Sequence, residues 1–116
     1  MKFIKTSVIC IVTLIILAIF CVQATAHPPG FVNAKYDGNS LKVTIIHFSI
    51  SPLRSHYIYR IEVEKNGQLY LVENYEKQPR FIFFTYSYTV ETEAGDELTV
   101  KTFCSLFGQK SKTITV

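Results

Sequence analysis

Two hydrophobic patterns divide the chain. An uncharged, predominantly apolar run extends from Ser7 to Val22, whereas from residue 31 onward apolar and polar residues alternate and turn signals cut the pattern. Alternation with period two marks strands with one buried face. It predicts strands over "FVNAKYD" (31–37), "SLKVTIIHF" (40–48), "HYIYRIEVEK" (56–65), "QLYLVENY" (68–75), "RFIFFTYSYTV" (80–90), "ELTVKTFC" (97–104) and "SKTITV" (111–116). Leu41, Val43, Ile45 and His47 share one face of the second, and Leu98, Val100, Thr102 and Cys104 one face of the sixth. Asp37-Gly38-Asn39 and Glu93–Glu97 read as turns. Asn66-Gly67 is the strongest hairpin signal, because both residues tolerate positive φ. No helix period occurs in this part. About seven short strands at this spacing predict an all-β fold, an immunoglobulin-like β-sandwich, without the tryptophan and cysteine pair of antibody domains.

The first run has a different meaning. Lys2 and Lys5 precede it, and Ala24 and Ala26 follow in the A-x-A arrangement of a cleavage site. Residues 1–26 are therefore predicted to be a secretory signal peptide. The run falls slightly short of the roughly 20 residues of a bilayer crossing, and the competing reading is an uncleaved N-terminal anchor. Leu17–Cys21 hints at a lipobox, but Phe20 stands where a small residue is expected. Residues 27–116 are then one small exported domain, secreted or periplasmic, that meets a membrane only through an uncleaved leader.

Composition changes the picture in two places. Without Lys2 and Lys5, ten of the twelve basic residues remain against nine acidic ones. This near balance argues against a nucleic-acid partner, which requires a clear basic excess. Cys10 and Cys21 lie within the leader, so the exported domain keeps Cys104 alone and has no internal disulfide. Its sixteen aromatic residues, nine Phe and seven Tyr, fall mostly in strands and are expected as core and cross-strand pairs. Glu62, Glu64 and Glu73 read as solvated faces. Nucleophile-elbow, phosphate-loop and zincin motifs are missing from the sequence.

The candidate chemistry lies in His27, His47, His56 and Cys104. His47 ends one strand, His56 begins another, and Cys104 ends a later one. Strand ends of a sandwich gather at its poles, so these side chains can meet. Imidazole and thiolate are suited to iron, copper or zinc. The plain alternative is two polar strand-end histidines and a core cysteine. Cleavage after Ala26 would make His27 the N-terminus, where amine and ring can chelate copper together. Arg54 and Arg60 could draw an anion to the same pole, or be ordinary surface residues.

The stretch "HYIYRIEVEKNG" and the segment from Gln78 to Val116, with "CSLFG" near its end, resemble the iron-binding domain of desulfoferrodoxin and superoxide reductase. The resemblance covers essentially the whole domain. It implies an immunoglobulin-like sandwich. It also implies ferrous iron held by four equatorial histidines and an axial cysteine, reducing superoxide with electrons from a small redox partner. Carried over by position, His56 matches the histidine of the "HYI" motif and Cys104 the axial cysteine. His27 lies near the N-terminal ligand, and His47 stands for the histidine before a Pro-Met pair. Ser51-Pro52-Leu53 competes for that alignment and would put a serine there. Phe107 takes the place of the last histidine, and the lysine before the N-terminal ligand has no equivalent. The expectation is an exported transition-metal protein, holding iron or alternatively copper or zinc, with superoxide reductase-like redox activity. The other reading is a metal-free surface or partner-binding module.

Overall fold

The computed structural model describes residues 2–21, 29–49, 55–106 and 108–116, with side chains of the N-terminal helix described as far as Ala18. Helix α1 spans Lys2–Cys21, and its large apolar side chains from Phe3 to Leu17 are exposed. Among the described residues no helix is long and apolar enough to cross a membrane.

Seven strands follow: β1 (Phe31–Asp37), β2 (Ser40–Ile46), β3 (Ile58–Lys65), β4 (Gln68–Asn74), β5 (Phe83–Thr89), β6 (Glu97–Cys104) and β7 (Gln109–Thr115). They build an antiparallel sandwich with sheet orders β1-β2-β5 and β4-β3-β6-β7. The predicted all-β sandwich is thus the observed one. β1 and β6 begin and end where alternation placed them. β2, β3 and β5 are shorter than the patterns suggested. His47 and His56 fall just outside β2 and β3, so both lie at the pole, beyond the formal strand ends.

Alternation accounts for the core. Val32 and Ala34 of β1, Leu41, Val43 and Ile45 of β2, and Phe84 of β5 point inward from one sheet. Ile58, Ile61 and Val63 of β3, with Leu98, Val100 and Cys104 of β6, point inward from the other. On β3 the inward positions Ile58 and Ile61 are three apart, which strict alternation forbids. A β-bulge resolves this: Ile58 pairs with Cys104 but Arg60 with Phe103, so β3 carries one extra residue, Tyr59. Bulges of this kind re-aim side chains near strand ends, and here the bulge adjoins Cys104.

The turns follow local chemistry. Lys65 pairs with Gln68 across Asn66 and Gly67, at φ 53° and 80°. Positive φ at both positions defines the type I′ turn, whose twist matches that of the strands.

The aromatic residues divide. Phe84 enters the core, and Tyr36, Tyr75, Tyr86 and Tyr88 pack against its edge. Tyr75 stacks on Tyr86 at 4.3 Å between centroids, and its hydroxyl is 2.6 Å from that of Tyr88. Burial pushes the Tyr86 phenol up to about 12 and raises those of Tyr75 and Tyr88. Phe31, Ile46 and Phe83 form a cross-strand row on the outer face of the three-stranded sheet and are exposed there. They are pairs, as anticipated, but outside the core.

Candidate metal centre

The inward stripes of β2 and β6 each run one step past the apolar core and end in a donor. After Leu41, Val43 and Ile45, the next inward residue is His47, 2% exposed. Its amide donates to Ile82 O at 2.8 Å, extending the β2–β5 ladder beyond the formal strand ends. After Leu98, Val100 and Thr102 comes Cys104, 5% exposed. Its cross-strand partner Ile58 begins β3 two residues after His56. Because β3 runs antiparallel to β6, its start lies where β6 ends. Two sheets therefore deliver three donor residues to one pole.

The convergence is close. His47, His56 and Cys104 each offer a ligand atom, and these atoms all lie within 4.8 Å of one another. The two imidazoles meet edge to face, with centroids 4.6 Å apart and planes at 79°. Donors sharing one ion at bond lengths of about 2.0–2.3 Å stand roughly 3–4.5 Å apart. The observed envelope is near that before any ion draws the donors inward. Two imidazoles and a thiol also form a donor set suited to zinc, iron or copper. By spacing and by donor chemistry the residues fit a transition metal.

Polar residues at the pole hold this arrangement. Ser105 follows Cys104 and clasps the chain around His56. Its amide donates to Tyr57 O at 2.9 Å, its hydroxyl accepts from Tyr57 N at 3.0 Å, and the same hydroxyl lies 3.2 Å from Ser55 O. From the other side, the buried Ser49 hydroxyl donates to His56 O. Ser49, two after His47, thus holds the His56 carbonyl, and Ser105, one after Cys104, holds the flanking residues Ser55 and Tyr57. Gln78, 2% exposed, bonds the His47 ring, the His47 carbonyl and the amide of Ile58. Sequence reasoning missed Ser49, Gln78 and Ser105. Each sits in a polar, turn-like segment, where Ser and Gln ordinarily face solvent.

Arg60 is ion-paired. Its guanidinium pairs with Glu62 at 2.5 Å and lies over the Phe103 ring at 6.0 Å. Glu64 likewise pairs with Lys101 at 2.7 Å, so two carboxylates expected to be solvated are ion-paired instead. His27, Ser51-Pro52-Leu53, Arg54 and Phe107 lie outside the described residues. An open groove of about 670 Å³, walled by Tyr57, Tyr59, Tyr75, Phe103 and Leu106, reaches Cys104. Neither His47 nor His56 lines it. Cys104 is thus reached from an aromatic side that the imidazoles do not line.

No family model matches the chain, and no curated protein matches it in sequence. Among solved structures, the chain is similar to a superoxide reductase (neelaredoxin) from Ignicoccus hospitalis, at 18% identity and a TM-score of 0.47 over 82% of this chain and 84% of that one. It is similar to a superoxide reductase from Nanoarchaeum equitans at 16% identity and a TM-score of 0.43, over 78% and 93% of the two chains. A hypothetical protein from Pyrococcus horikoshii aligns at 15% identity and a TM-score of 0.42, over 81% and 91%. Overlaps of this size establish neither a family nor a chemistry for this chain.

Proposed function

We propose that this domain is an exported metal protein that holds one transition-metal ion, iron in its working form, through His47, His56 and Cys104. The observation that carries the reading is the meeting of their ligand atoms within 4.8 Å. The resemblance around "HYI" and Cys104 supports iron over zinc and copper. His27 is proposed as a further donor in the mature chain. The apolar leader with its A-x-A end supports export.

His47, His56 and Cys104 alone leave a position for solvent or substrate, and an iron ion of higher coordination number keeps one with His27 added as a fourth donor. With ferrous iron bound, the chemistry supplied would be transfer of one electron to superoxide, which with two protons gives hydrogen peroxide. The chain's own residues do the rest. The β-sandwich holds the two imidazoles and the sulfur in place, and Ser49 and Ser105 hold the chain at His56. The aromatic groove beside Cys104 is the proposed approach for a small electron donor. With Arg60 paired to Glu62, attraction of a superoxide anion by this arginine is weak, so a modest reductase rate is expected.

The test is a cobalt(II) titration of the mature domain under reducing, oxygen-free conditions. One cobalt per chain, with a thiolate-to-metal charge-transfer band saturating at that stoichiometry, is the expected result. A spectrum indistinguishable from aqueous cobalt throughout would reject the metal reading. It would leave the metal-free partner-binding module in its place.

A further inference from the structure

Gln78 makes hydrogen bonds that assign every one of its polar atoms. Its Nε2 donates to His47 O at 2.8 Å and to Arg80 O at 2.7 Å. Carbonyl oxygens only accept, so this end of the side chain is the amide nitrogen. The other end, Oε1, is then the acceptor, and it lies 2.7 Å from His47 Nδ1 and 3.3 Å from Ile58 N. An amide oxygen cannot donate. His47 Nδ1 must therefore carry a proton, and in the neutral ring the lone pair resides on Nε2.

We propose that Gln78 is the positioning residue of the metal centre, a role that rests on the proposed metal reading. It fixes the His47 tautomer so that the ring offers Nε2, and it fixes the ring plane. One buried side chain also joins the end of β2, through His47 O, to the start of β3, through Ile58 N. The backbone on both sides of the His47–His56 pair is thus bridged by one amide, beside the contacts of Ser49 and Ser105. Outer partners of this type orient a ligating histidine. A neutral amide does so without adding charge, unlike the carboxylate often found opposite a ligating imidazole. Its carbonyl and amino ends are both required here, since a carboxylate would face the His47 and Arg80 carbonyls with no proton to donate.

The experiment is imidazole ¹⁵N NMR of the wild-type domain and of Gln78→Leu, metal-free at a pH where the ring is neutral and again with zinc. The expected wild-type spectrum shows His47 as the Nδ1–H tautomer without metal and with zinc on Nε2. In Gln78→Leu the two tautomers should mix, and zinc affinity measured by competition with a chromophoric chelator should fall about 10–100-fold. An Nε2–H tautomer in the metal-free wild type would overturn the proposal, and this needs no variant to fold. So would a folded Gln78→Leu with an unchanged His47 spectrum and zinc affinity within about twofold of wild type. Should the wild type show the Nδ1–H tautomer yet bind neither zinc nor cobalt, the metal reading fails and the tautomer assignment stands.

Discussion

Cys104→Ala is expected to abolish the thiolate-to-cobalt band and to weaken zinc binding by more than about 100-fold, beyond the loss from removing an outer hydrogen-bond partner of a ligand. The reason is the chemistry of the set. Among the described residues Cys104 supplies the only sulfur at the pole, and of the three donors it alone carries a full negative charge when metal-bound. Two neutral imidazoles cannot replace that attraction. Alanine is preferred to serine as the probe. Cys104 is 5% exposed at the edge of the apolar core, and a buried hydroxyl without a partner costs about 1–3 kcal/mol in its own right. Alanine removes the sulfur and leaves only a small void, so the variant should fold. Thermal melting near that of the metal-free wild type, together with loss of the band, assigns the effect to ligation. A Cys104→Ala protein that binds zinc as tightly as wild type would exclude the thiolate as a donor.

The largest expected effect on stability lies elsewhere. Ile61→Ala should lower unfolding free energy by about 2–5 kcal/mol, through lost burial and the cavity left behind. Ile61 is fully buried in β3, paired with Thr102 of β6 and Glu73 of β4. It is the first inward residue after the Tyr59 bulge. A domain of this size has only about 5–15 kcal/mol in total, so the variant is expected to approach the edge of folding. Urea titration checks this: the midpoint falls while the slope stays constant if compactness is unchanged. Ile46→Ala is the control. Ile46 sits on the exposed outer face at 38% exposure and should cost well under half as much. Equal losses at the two positions would mean that the inner face is not the principal apolar contact.

Much of the scaffold was legible because strands declare themselves by alternation. Leu41, Val43, Ile45, Leu98 and Val100 are inward in the structure as the period-two pattern required. The site was legible to the extent that it extends the same stripes. His47 and Cys104 occupy the next inward position after the last core residue of β2 and β6, so their placement follows from register. His56 was suggested by its position before β3 and by the "HYI" resemblance.

What escaped notice had no periodic signature. The bulge at Tyr59 left one trace in the sequence, the three-residue step from Ile58 to Ile61, which a strict reading of alternation could have caught. The partnership of Gln78 with His47, 31 residues earlier in the chain, left none. A glutamine in "EKQPR" looks like a solvated turn, and only tertiary packing buries it. The Arg60–Glu62 pair was hidden for a related reason: i and i+2 on a strand share a face, and either side chain alone reads as a surface charge.

The most direct test of a shared His47–His56–Cys104 metal centre is X-ray absorption at the zinc edge of the stoichiometrically loaded domain. The account predicts one sulfur at about 2.3 Å and at least two imidazole nitrogens at about 2.0–2.1 Å. A shell made entirely of oxygen and nitrogen, with no sulfur scatterer, would contradict it.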